Sequence, residues 1–314
     1  MNNQFKEDIL EGLNAQNKYL PSKYFYDEKG DDLFVQIMQL DEYYLTDCEL
    51  DIFKNKTAEI INQLNIQQDT PFDLIELGAG DGTKTKFLLN RLVKDDFDFT
   101  YHPVDISQHA LNDLSANLSK TLPSLQVETQ QGDYFDILTQ FKSSTKQKIV
   151  LFLGSNIGNY EDEEAQLFLR NTAQLLNAGD RLLVGTDLIK SKDIVLPAYS
   201  DSKGITAAFN LNLLKRINRE LQANFQIDQF EHLATYDEEE GIARSYIVSK
   251  KEQVVQINGQ TTIKFSENER IYTEISRKYN DQIVNRLLTN SGLSIHSKIK
   301  DSKSFFADYI LVKE

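Results

Sequence analysis

An α/β fold with a doubly wound parallel sheet is predicted by three features of the sequence. Short apolar runs recur at FDLIEL (72–77), FTYHPVDI (99–106), LQVETQ (125–130), KIVLFLG (148–154) and RLLVGTDL (181–188). Amphipathic helical patterns, such as 83–93 and 163–176, lie between them. The first run ends in three close glycines, Gly78, Gly80 and Gly82, ahead of a helical stretch. Strands alternating with helices at this spacing build a parallel sheet, and brief continuous apolar runs suit strands covered on both faces.

Ahead of the sheet, residues 4–60 read as helices and loops dense in aromatics: Tyr24, Phe25, Tyr26, Phe34, Tyr43 and Tyr44. Leu33, Phe34, Ile37 and Met38 have the spacing of an amphipathic helix, and a second helical pattern with Leu50, Ile52 and Phe53 follows Thr46. The alternation stops near residue 190. Residues 191–277 hold a helix over 206–222 and strand-like pieces at 243–249, 253–258 and 261–265. Asn258-Gly259 between the last two is a strong hairpin signal. A helix over 280–290 then leads to 292–300 and 304–313, an antiparallel pair expected to rejoin the first sheet. The expected division is a core of 61–190 plus 278–314. A second α+β domain is expected from 1–60 plus 191–277, the N-terminal segment packing beside the insertion.

Composition narrows the function. The 314 residues are 40% hydrophobic and 26% charged, a globular mixture long enough for two units or one elaborated fold. A net charge of −14 argues against a nucleic-acid partner, which wants a basic surface. Cys48 is the sole cysteine and the four histidines lack metal-ligand pairing, so neither a disulfide nor a metal is expected. No run approaches the roughly 18 apolar residues of a membrane span. The start lacks the apolar stretch of a secretory signal. A cytoplasmic monomer acting on a small molecule is the expectation.

The glycine loop reads Glu76-Leu-Gly78-Ala-Gly80-Asp-Gly82-Thr-Lys84-Thr85. A dinucleotide fingerprint needs a third glycine where Thr83 stands, and so does a P-loop counted from Gly78. An acidic residue followed by G-x-G-x-G, the loop of class I S-adenosylmethionine methyltransferases, matches without a gap. Glycines turning a tight corner with no ligand is the plain alternative. Downstream, Asp105 ends the second run, where a carboxylate can accept from both ribose hydroxyls, or can cap the helix starting near Ser107. Gly132-Asp133-Tyr134 follows the third run; it offers an acceptor and a ring to an adenine, or ordinary turn chemistry. Asn159 ends the fourth strand's loop and can orient an amino-acid head group, or can cap the next helix.

With these in place the chain resembles the histidine Nα-methyltransferases of ergothioneine biosynthesis, over nearly its whole length. The matching blocks include Lys23-Tyr-Phe-Tyr-Asp-Glu-Lys-Gly30, Glu42-Tyr43-Tyr44-Leu-Thr46 with Glu49, and Ala198-Tyr199-Ser-Asp201. They continue with Gly204 to Asn212, Asn218-Arg-Glu220, Phe230-Glu-His232 and Tyr272-Thr-Glu274-Ile-Ser276-Arg-Lys278-Tyr279. The resemblance implies a Rossmann-like class I methyltransferase sheet with an added substrate-binding domain. S-adenosyl-L-methionine would be the cofactor and S-adenosyl-L-homocysteine the product.

Residue by residue, the resemblance implies that Gly78, Lys84, Asp105, Asp133 and Tyr134 bind the cofactor, with Tyr26 and Phe34 approaching the same cavity. Tyr43, Asn159 and Tyr199 would hold the amino and carboxylate groups of the acceptor, L-histidine, and serve the transfer. Glu274 and Ser276 would hydrogen-bond its imidazole. Packing roles for Tyr43 and Tyr199, and a helix face pairing Glu274 with Lys278, are the competing structural readings. The chain departs from the family before Val248-Ser249. An Ile-Glu-Met-like stretch whose Met lines the acceptor pocket is replaced by Ala243-Arg244-Ser245-Tyr246-Ile247, placing Ser245 or a neighbour there. Tryptophan as acceptor and a non-catalytic binding protein on the same fold are the alternative functions.

Overall fold

The computed structural model describes residues 3–314. α1 (Asn3–Asn14) buries Phe5, Ile9 and Leu13, which fall on one stripe because they are spaced four apart. Residues 18–20 then run beside Tyr272 as an extended segment: the Leu20 amide donates to the Tyr272 carbonyl at 2.8 Å and the Tyr272 amide to Lys18 at 2.9 Å. α2 (Glu28–Ile37) is capped by Asp27, whose carboxylate accepts from the Gly30 amide at 2.8 Å. Only glycine fits position 30, since a Cβ there would lie 1.8 Å from the Phe25 carbonyl oxygen. α3 (Tyr44–Asn55) and α4 (Thr57–Leu64) complete the N-terminal helices.

The alternation follows: β1 (Phe72–Leu77), α5 (Thr85–Lys94), β2 (Phe99–Asp105), α6 (Gln108–Thr121), β3 (Gln126–Val127) and β4 (Gln130–Gln131). α7 (Tyr134–Phe141), β5 (Gln147–Phe152), α8 (Asp162–Leu175) and β6 (Arg181–Asp187) complete it. Every residue of β1 and β6 is buried, as strands with both faces covered require. The expected third strand shrinks to two short pieces pairing with β2. Its residues Gln126, Glu128 and Gln130 are polar, so this sheet edge has little apolar surface to bury.

Beyond residue 190 come α9 (Lys192–Tyr199), α10 (Ile205–Leu221), β7 (Phe230–Asp237), β8 (Ile242–Ser249), β9 (Gln253–Ile257), β10 (Thr261–Phe265) and β11 (Arg270–Arg277). Asn258 and Gly259 take φ of 52° and 63° in the β9–β10 turn, the left-handed pair that a tight hairpin needs. α11 (Asp281–Leu287), β12 (Leu293–Lys300) and β13 (Phe306–Lys313) end the chain. The last two strands return to the sheet as expected. β13 pairs antiparallel with β6 and with β12, giving the order β12-β13-β6-β5-β1-β2-β3.

The chain divides into two compact units. The first joins residues up to Tyr44 with Lys190–Ser276. Its core packs Phe5, Ile9 and Phe25 with Phe209 of α10 and Ile247 and Ile271 of the sheet β11-β8-β7. The second unit, Leu45–Ile189 with Arg277–Glu314, contains the large sheet. Residues 45–60, expected with the first unit, thus fall in the second. The physical tie is Glu49, fully buried, which accepts from the Gly154 amide at 2.9 Å and pairs with Lys84.

Candidate functional site

In the sheet unit the glycine loop crosses the C-terminal ends of β1 and β2. Gly78, Gly80 and Gly82 all have positive φ (71°, 54° and 64°), a backbone region costing other residues about 1–2 kcal/mol. Their surroundings differ. A Cβ at Gly78 would lie 2.8 Å from the Tyr134 hydroxyl and one at Gly82 2.6 Å from Leu114, whereas at Gly80 it would meet no protein atom within 4 Å. The loop is therefore packed at its ends and open at its middle, where a ligand can approach the backbone.

Glu76 anchors the loop from below. Its buried carboxylate accepts from Thr85 at 2.6 Å, in the first turn of α5, and from the Tyr101 hydroxyl. Burial pushes its carboxyl up to about 7 despite those hydrogen bonds. Asp105 accepts from the Gly80 amide at 3.2 Å and the Ser107 amide at 2.9 Å, so it braces the loop and the following turn together. The cap of α6 is Ser107 itself, accepting from Ala110 at 3.2 Å. Asp133 caps α7 through the Phe135 amide at 2.8 Å, and its residue is exposed. The Tyr134 phenol is raised by burial and by the nearby Tyr160, Asp105 and Asp133.

Lys84 lies at the start of α5 with its ammonium on Glu49. Burial opposes its charge, but Glu49 and Glu76 hold it above the ordinary lysine value. Its Nζ is 3.6 Å from where a Cβ on Gly154 would stand, and Asn156 Nδ2 is 3.5 Å from the same point. Gly185 on β6 makes room for Glu49, since a Cβ there would come within 2.1 Å of Glu49 Oε1 and 3.3 Å of Asp308 Oδ1. Asp308 is fully buried with neither oxygen hydrogen-bonded, and burial plus Glu49 push its carboxyl well above the usual range. Asn159 is exposed and does not cap α8; the cap is at Glu161, whose amide donates to Glu164 at 3.1 Å.

The other unit gathers the remaining predicted residues. Tyr26, Phe34, Tyr43 and Phe209 form an aromatic cluster, with centroids 5.6 Å apart for Tyr26–Phe34 and 6.4 Å for Phe34–Tyr43. The Tyr199 hydroxyl is 2.7 Å from Ser276 Oγ. Glu274 stands on strand β11, so the helical i,i+4 reading with Lys278 is corrected; Lys278 pairs instead with Asp187 at 2.8 Å. Desolvation of its hydroxyl and then the Glu274 carboxylate raise the Tyr26 phenol, although the residue as a whole is 44% exposed. Tyr26 and Phe34 thus belong to the same aromatic cluster as Tyr43.

Four residues of note carried no assigned role in the sequence. Glu49 was visible only as part of a motif. Asn156 and Asp308 gave no signal, being ordinary residues on a loop and a strand. Ile106, 77% exposed directly after Asp105, was hidden inside an apolar run that looked like plain strand. Among the described residues, no three His, Cys, Asp or Glu side chains are grouped to hold a metal ion.

The chain matches over residues 5–313 the family model described as "Histidine-specific methyltransferase, SAM-dependent". It is 36% identical over 289 residues to the histidine N-alpha-methyltransferase of Mycolicibacterium smegmatis, covering 92% of this chain and 88% of that one. It is 33% identical over 302 residues to the ergothioneine biosynthesis protein 1 of Schizosaccharomyces pombe, covering 94% of this chain and 39% of that protein. Among solved structures, the mitomycin 7-O-methyltransferase MmcR matches with a TM-score of 0.51 at 12% identity, over 99% of this chain and 67% of that one. That likeness is one of fold.

Proposed function

Because the chain belongs to the S-adenosylmethionine-dependent histidine-specific methyltransferases, we propose that it transfers methyl groups to the α-amino nitrogen of L-histidine, up to the trimethylated betaine used in ergothioneine biosynthesis. The family match across residues 5–313 carries this reading. The loop chemistry supports it: an open glycine at its middle, a carboxylate at the end of β2 and no P-loop glycine at position 83. A monomeric state and a cytoplasmic setting are part of the proposal.

Bound S-adenosylmethionine supplies an electrophilic sulfonium methyl, so the protein's work is positioning and protonation state. Gly78 and Gly80 let backbone approach the ligand, and Asp105 is the acceptor for the ribose hydroxyls. Asp133 is the acceptor for the adenine amino group, with Tyr134 and the exposed Ile106 offering surfaces to the base. Lys84, kept charged by Glu49, is the cation for the ligand's carboxylate. The acceptor amine must be neutral and in line with the methyl, near 3–3.5 Å from it. Tyr43, Asn159 and Tyr199 orient its amino and carboxylate groups. The proton leaves through water held by a tyrosine hydroxyl to solvent, so that the amine reaches the methyl uncharged.

Glu274 and Ser276 read the ring. Tyr26, Phe34 and Tyr43 offer aromatic faces to the ammonium that forms as methyl groups accumulate. The test is a mass-spectrometric screen of the twenty amino acids with labelled S-adenosylmethionine. Histidine alone should gain up to three methyl groups. Glu274→Ala should cut histidine turnover at least about 100-fold while the cofactor dissociation constant changes less than threefold. Labelling of another amino acid in place of histidine would refute the acceptor assignment.

A further inference from the structure

Ser245, the expected substitute for the family's pocket methionine, faces away from Glu274. It is buried, and its carbonyl accepts from Thr273, which also bonds Asn210 of α10 at 3.0 Å. The residue beside it is the informative one. The Ser249 amide donates to the Glu269 carbonyl at 2.9 Å, so β8 and β11 run antiparallel from that point. Counting five residues back from Ser249 and five on from Glu269 sets Arg244 opposite Glu274. The Tyr246–Tyr272 ring pair, with centroids 5.8 Å apart, falls on the same count. Side chains two apart share a face of a sheet, so Arg244, Tyr246, Tyr272, Glu274 and Ser276 line one side, with Thr235 of β7 next to Arg244. The Arg244 guanidinium is half-buried, 3.6 Å from Glu240, a loose contact of little energetic weight.

We propose that Arg244 is a specificity-determining residue for the acceptor's ring: with Ser276 it donates to the bare nitrogen of a neutral imidazole while Glu274 accepts from the ring's N–H. This rests on the reading that Glu274 holds the ring. A neutral imidazole has one donor and one acceptor nitrogen, a carboxylate only accepts, and a guanidinium only donates. Opposed on one sheet face, the two side chains complement that ring and no other proteinogenic one. An indole lacks the acceptor, and an imidazolium would turn an N–H toward the fixed positive charge.

The experiment compares L-histidine with an alanine carrying a pyrrole ring, which has the N–H but no bare nitrogen, using the full chain and labelled S-adenosylmethionine. The wild type should favour histidine by about 100-fold in kcat/KM. Arg244→Met should reduce that preference below about tenfold, chiefly by raising KM for histidine, with cofactor affinity within about threefold of wild type as the folding control. Arg244→Lys, which keeps a donor but loses the fork, should fall between them and replaces Arg244→Met if that variant does not fold. An unchanged preference in the variant, or an equal loss for both amino acids, overturns the proposal. If Glu274→Gln abolishes histidine turnover while Arg244→Met keeps the preference, only the arginine's role falls. If the wild type leaves histidine unmethylated, the acceptor reading falls with it.

Discussion

Glu76 is a carboxyl group placed where charge is expensive. It lies one residue before the end of β1, buried, with Thr85 and Tyr101 as hydrogen-bond donors, and burial pushes its carboxyl from the ordinary 4.5 up to about 7. The unfolded chain therefore releases this proton near pH 4.5 while the folded chain keeps it to near pH 7. Stability falls as pH rises through that window, by roughly 3 kcal/mol at most. Glu76→Gln should remove the slope: relative to wild type, its urea midpoint should be higher at pH 8 than at pH 4.5. Parallel pH curves for the two proteins would show that Glu76 is not the titrating group. Asp308 belongs to the same residue-scale pattern, a carboxyl that burial and the neighbouring Glu49 push well above the usual range, next to the Glu49–Lys84 pair.

Within the β1–α5 connection, three glycines of the same backbone class do separable work. Gly82 is closed in by Leu114, while Gly80 has open space on its Cβ side. Gly82→Ala should add a clash to the backbone strain and destabilise the protein by about 2 kcal/mol or more. Gly80→Ala should cost only the strain, about 1–2 kcal/mol. Its methyl would nevertheless project into the space a cofactor uses, so binding should weaken at least tenfold. Thermal unfolding and isothermal titration with S-adenosylmethionine separate the two effects. Equal stability losses with equal affinities would mean the loop makes no such distinction. At this scale the sequence was readable, because a strand, three glycines and a helix leave few backbone solutions.

Across the whole molecule, the first unit is assembled from chain segments about 150 residues apart in sequence. Residues 18–20 lie along β11, and Phe5, Ile9 and Leu13 share a core with Phe209, Leu213 and Ile217 of α10. Asp27 ties α2 to α10 through Asn212 at 2.8 Å and Arg219 at 2.6 Å. Ile9 is fully buried in that shared core. Ile9→Ala should therefore cost about 2–5 kcal/mol, read from chemical denaturation. A loss below about 1 kcal/mol, the range of surface substitutions, would mean that α1 is an appendage.

The sequence by itself determined the alternating α/β order, the return of the C-terminal strand pair, the loop's identity and the family, since each depends on local periodicity or on short motifs in order. It also names Asp105, Lys84, Tyr43, Tyr199 and Glu274 as the side chains expected to bear the chemistry. Tertiary structure alone decided that residues 45–60 go with the large sheet, because the buried Glu49 carboxyl finds its partners in the amide of Gly154 and the ammonium of Lys84. Pairing between strands decided that Arg244 and not Ser245 shares a face with Glu274. A strand's sequence shows that its side chains alternate, but which neighbours they meet depends on register, and register is set by partners distant along the chain.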